Sequence, residues 1–177
     1  MNKTPFKDFD FSSFWDNNEY AQKYYIGTTP TDEQVKDIEN ELGYKLPQSY
    51  ITLIKQCNGG EPVNTCFPTQ IPTSWANNHI TISGIMGIDK DKPYSLCGEI
   101  GNRFWIEEWG YPTIGIAICT TPSAGHDMIF LDYRKCGLAG EPSVVHIDEE
   151  NDYKITTLAA SFEEFIRGLV NSKDFES

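Results

Sequence analysis

Three groupings of residue types in this sequence could do chemistry. Cys119 lies a short turn ahead of His126-Asp127, and a thiol nucleophile needs a base that an acid can orient. Yet Cys119 ends an apolar run and His126 sits in a glycine-containing turn, where a structural thiol and an ordinary polar residue belong. His146 and Asp148 stand at i and i+2 on an extended segment, with Glu149 and Glu150 beside them, and could offer metal ligands from one face. Only one imidazole is local, and DEEND (Asp148 to Asp152) lacks the glycine and alternating oxygens of a calcium loop. A solvated acidic turn is the expected state. Glu107 and Glu108, with those same acids, supply carboxylates for a glycosidase-like pair. No glycine-rich phosphate loop, nucleophile elbow or kinase motif set accompanies them. The expectation is therefore a protein with no catalytic residue, no metal and no cofactor.

The acids make more sense as a surface. The formal charge is −12, which repels phosphate backbones and anionic lipid and leaves a cationic partner as the natural complement. Residues 140 to 177 hold nine acids and three bases, so half of the net charge lies in that short C-terminal stretch. A structural reading, acids that merely aid solubility, stands beside this one. Five cysteines, Cys57, Cys66, Cys97, Cys119 and Cys136, are an odd number without a C-x-x-C pair, against both a disulfide framework and a zinc ribbon. The start MNKTPFKDFD has no apolar leader core, and no apolar run is long enough to span a bilayer. A cytoplasmic protein is expected.

Elements that would position these residues can be read from periodicity and turn chemistry. At 177 residues the chain suits one domain, which buries roughly 70% of its unfolded surface. Phe14 to Tyr25 carries aromatics at near-helical spacing and predicts a first helix ended by Gly27. Thr31 with Gln34 forms a capping-box pattern ahead of Val35, Ile38 and Leu42, with Gly43 as the stop. Pro47 suits the first turn of a third helix with Tyr50, Leu53, Ile54 and Cys57 on its apolar face. Three prolines between Glu61 and Asn78 predict a long loop. Strands are expected at His79 to Gly84, Thr113 to Cys119, Asp127 to Tyr133 and Ser143 to Asp148 in one sheet, with a shorter one near Lys154 to Leu158. Tyr94 to Glu108 is ambiguous, with a helix as one reading. Ser161 with Glu164 caps a C-terminal helix carrying Phe162, Phe165, Ile166 and Leu169. Together these give an α+β fold: a mostly antiparallel sheet of about four to six strands covered by N-terminal and C-terminal helices.

The strings YPTIGIA, GHDMIFLDY, GEPSVVHID and SFEEFI, preceded by Gly27, the segment TPTDEQVKDIENELGYKLPQSY and the Asn58-Gly59-Gly60 turn, resemble the SMI1/KNR4 family of the SUKH superfamily. The resemblance covers about residues 27 to 170 of a single domain spanning 1 to 177; residues 1 to 26 stand outside it as an N-terminal extension. It implies an immunity protein that neutralises a cognate secreted toxin, a nuclease or another toxin acting on nucleic acid, by protein contact and without enzymatic activity. A nucleic-acid-directed toxin must be basic to hold its substrate, and an acidic protein can cover that surface. The partner-binding residues expected on this view are Glu141, Asp148, Glu149, Glu150 and Asp152, with Trp75 or Trp109 as an aromatic anchor. The alternatives are an intracellular regulatory scaffold, or a small hydrolase using Cys119 and His126 or an acid pair.

Overall fold

In the computed structural model, which describes residues 4–175, the first regular elements are shorter than their aromatic content suggests. Strand β1 (Trp15–Asp16) precedes helix α1 (Glu19–Tyr24). The helix expected from Phe14 thus starts only at Glu19, because the Asn18 side chain caps it by accepting the Ala21 N–H at 2.8 Å. Trp15 is left extended. Helix α2 (Asp32–Leu42) begins on the complete capping box of Thr31 and Gln34 and ends at Gly43, whose φ of 84° is the left-handed conformation that glycine adopts without penalty. Helix α3 (Gln48–Gln56) follows Pro47, which sits just ahead of the first turn, and buries Tyr50, Leu53 and Ile54.

The proline-bearing stretch after α3 is not wholly loop. It contains β2 (Glu61–Pro62), paired antiparallel with β1, and β3 (Cys66–Pro68). Strand β4 (His79–Thr81) pairs with β3, whereas β5 (Gly84–Ile85) pairs elsewhere. The strand expected over His79 to Gly84 is therefore broken between two sheets: the Ile82 N–H bonds Thr65 O, and the next, from Ser83, bonds Thr120 O. Helix α4 (Asn102–Glu107) occupies only the last part of the ambiguous segment.

Strands β6 (Gly115–Thr120), β7 (Asp127–Asp132), β8 (Ser143–Asp148) and β9 (Lys154–Ala159) complete a five-stranded antiparallel sheet in the order β5-β6-β7-β8-β9. Every residue of β6 and β7 is buried, which explains their near-continuous apolar sequence. A bulge between Ala117 and Cys119 interrupts the β6–β7 ladder. The buried Asn102 side chain serves the outer edge of β6 there, accepting the Ala117 N–H at 2.7 Å and donating to Ala117 O at 3.1 Å. Helix α5 (Phe162–Arg167) starts at Ser161, whose hydroxyl accepts the Glu164 N–H, and packs on α3 through Phe162 and Tyr50, with ring centroids 5.5 Å apart.

Residues of the N-terminal extension join this frame. Phe6 and Phe14 belong to the same buried cluster as the sheet, Phe9 and Phe11 pack against it, and the Arg167 guanidinium of α5 lies over Phe6 and Phe9. The Phe6 N–H donates to Glu163 Oε1 at 3.1 Å. The architecture is α+β, as the sequence predicts, with one five-stranded sheet and two two-stranded ones among the described residues. No described helix is long and apolar enough to cross a membrane.

Candidate functional site

The end of the sheet where β7 begins and β8 finishes gathers most of the chemistry-bearing residues. Asp127 and Asp148 face each other in register there. Neither is solvated: Asp127 is 1% exposed and Asp148 2%. Asp127 accepts from His146 Nε2 at 2.8 Å and from the Thr121 and Ser123 hydroxyls at 2.5 Å each. Burial pushes its carboxyl pKa up, but the hydrogen bonds from His146, Ser123 and Thr121 together outweigh that and hold it below the usual value. His146 is fully buried, and its Nδ1 has no partner, which fits the tautomer with its hydrogen on Nε2.

This network differs from a nucleophile site in two respects. The acid stands between the hydroxyls and the imidazole, whereas a hydroxyl nucleophile needs the imidazole between itself and the acid. The imidazole is also closed to solvent. Cys119 is buried as well, and desolvation raises its thiol far above the ordinary value, away from the thiolate that nucleophilic attack requires. The grouping of Cys119 with His126 and Asp127 suggested by the sequence is thus not assembled: Asp127 serves His146, and His126 turns to the surface.

On that surface His126 meets the acidic turn. Its Nδ1 lies 3.1 Å from Glu149 Oε2 and 3.0 Å from Glu150 Oε1, and its backbone carbonyl accepts the Glu149 N–H. The Trp109 ring stands edge-on to the imidazole at 5.3 Å. Trp109 is tied in turn to the far side of the acidic turn, because the Tyr153 hydroxyl donates to its carbonyl at 2.5 Å. Asp152, exposed and left-handed at φ 53°, immediately precedes that tyrosine. Among the described residues, His126, Glu149 and Glu150 are also placed to hold a divalent cation, their ligand atoms all lying within 4.8 Å of one another. His146 and Asp148, the pair marked by sequence spacing, are spent on Asp127 and Ser74.

Asp148, one of the acids expected on the contact surface, is turned inward. It accepts the Ser74 N–H at 2.9 Å and the Ser74 hydroxyl at 2.5 Å. These bonds bring Trp75, 41% exposed and donating from Nε1 to the Thr81 hydroxyl, to the end of β8. Asp148 therefore holds the Trp75 loop rather than offering a charge to solvent. Glu141 stands apart from the other acids: it precedes β8 at the opposite end, roughly 20 Å away at the rise of an extended chain, and lines a different groove with Lys45, Lys36 and Gln48. Glu107 pairs with Arg103 on α4. The hydroxyls of Thr121 and Ser123, which reach Asp127 within the turn between β6 and β7, and the buried His146–Asp127 bond, which needs the β7–β8 register, escaped sequence reading.

The sheet end thus combines a sealed polar network with a partly exposed rim of acids and tryptophans. The chain matches the SMI1 / KNR4 family (SUKH-1) over residues 29–168 and belongs to that family, whose domain is of the immunity type. A search of curated proteins found no match.

Proposed function

We propose that residues 1–177 form one immunity domain that binds and neutralises a cognate secreted toxin by protein contact, in the cytoplasm and without turnover of its own. The observation that carries this reading is the meeting of the Glu149 and Glu150 carboxylates with His126 at one end of the sheet, between Trp109 and the Asp148-held Trp75 loop. Exposed acids give long-range attraction for a cationic surface, and tryptophans supply the apolar area on which affinity concentrates. A toxin that acts on nucleic acid must present such a cationic surface, and the −12 charge of this chain complements it. The contact set is accordingly Trp75, Trp109, Glu149, Glu150 and Asp152.

Co-expression is the direct test. Cells producing the toxin domain encoded beside this chain are expected to survive when the chain is present and to die when it is absent. Protection that persists without any complex between purified toxin and purified chain would contradict the reading.

A further inference from the structure

A cleft of about 460 Å³ opens on the other side of Trp109, within the range of about 300–1,000 Å³ usual for ligand sites. Its lining is unusually aromatic. Tyr20 and Tyr25 come from α1 and the residue after it, and Tyr94, Phe104, Trp105 and Trp109 from α4 and the segments flanking it. Tyr25 and Tyr94 stack at 4.9 Å, and Trp105 and Trp109 stand 5.7 Å apart. Gly125 leaves room for both indoles: at φ 106°, a Cβ there would lie 2.6 Å from the Trp105 ring.

Three features select the occupant. Glu61 is the one acid in the lining, and one of its carboxylate oxygens already accepts from Asn18 Nδ2 at 2.8 Å. Among the described residues no lysine, arginine or histidine lines the cleft, so an anionic ligand such as a nucleotide would meet repulsion from a chain of charge −12. Trp105 is only 5% exposed, and its ring lines the cleft beside Trp109 as an apolar wall. Aromatic faces beside a carboxylate attract cations, and a planar guanidinium stacks on them where an ammonium cannot.

We propose that this cleft is an arginine socket: it takes the side chain of an arginine on a cationic protein partner, the guanidinium lying against the tyrosine and tryptophan rings with Glu61 as its counter-charge. The source of that arginine rests on the toxin-binding reading above; the chemistry of the socket does not. A ligand seated here would share Trp109 with the acidic rim and so extend the same surface.

The isolated chain can be titrated with N-acetyl-arginine amide while tryptophan fluorescence and aromatic proton shifts are followed, with the neutral isostere N-acetyl-citrulline amide as control. Saturable changes at Tyr20 and Trp109 are expected with the arginine compound and not with citrulline. Glu61→Gln, which can keep the bond from Asn18, and Tyr20→Ala, at a half-exposed ring, should each weaken binding roughly threefold or more. Equal response to citrulline, no saturable response, or full affinity in both variants would overturn the assignment. Because no toxin is present, its failure leaves the immunity reading standing, and failure of that reading leaves the socket testable.

Discussion

Asp127 shows how a single buried acid can organise a surface it never reaches. It holds His146, Thr121 and Ser123 inside the sheet end, which sets the turn that presents His126 to Glu149 and Glu150. Asp127→Asn should cost about 3 kcal/mol in urea unfolding at neutral pH, the usual loss when one partner of a buried, charge-assisted bond is removed. The folded pKa of Asp127 is depressed, so its contribution is fully present above the unfolded carboxylate value near pH 3.9 and is lost as pH falls through the lower folded value. The stability gap between the native chain and Asp127→Asn should therefore narrow below about pH 4. A gap that stays constant into stronger acid would show that the network does not hold the carboxylate ionised.

Among elements, the loop from residue 69 to 78 depends most on one contact. The Ser74 hydroxyl and N–H both bond Asp148, and Trp75 follows directly. Ser74→Ala should leave the sheet intact while raising amide exchange across the loop and red-shifting tryptophan emission, with a stability loss of about 1 kcal/mol. Unchanged exchange would mean that the Trp75–Thr81 bond alone fixes the loop. Such a contact is invisible in sequence because Ser74 and Asp148 lie far apart in the chain. The hairpins from β6 to β9 were legible for the opposite reason: alternation and glycine-rich turns are local, and each strand pairs with its neighbour in sequence. Capping was legible too, at Thr31 and Ser161. Reading failed wherever pairing is long-range, as when Trp15 pairs with Pro62 instead of extending a helix, or where Ile82 and Ser83 pass the chain from β4's sheet to β5's. The candidate site followed the same division. Glu149, Glu150, Asp152, Trp75 and Trp109 were named from charge and residue type, but burial of Asp148 and the distance of Glu141 needed the β8 register.

For the whole molecule, the central claim is that negative charge at one end of the sheet steers a cationic toxin onto a tryptophan-bearing rim. Membership of the SMI1 / KNR4 family sets the frame, and on the proposed reading the −12 charge with its exposed share at the acidic turn would supply the force. Steering of this kind acts on the association rate and fades as the screening length shrinks from about 30 Å in 0.01 M salt to about 3 Å in 1 M. The decisive measurement is the association rate of the purified chain with its cognate toxin domain across that range, for the native sequence and for Glu149→Lys/Glu150→Lys. The rate is predicted to fall roughly tenfold or more with salt for the native chain, and to be slower in low salt and less salt-dependent for the variant. Native and variant chains that associate at the same rate in low salt would contradict the account.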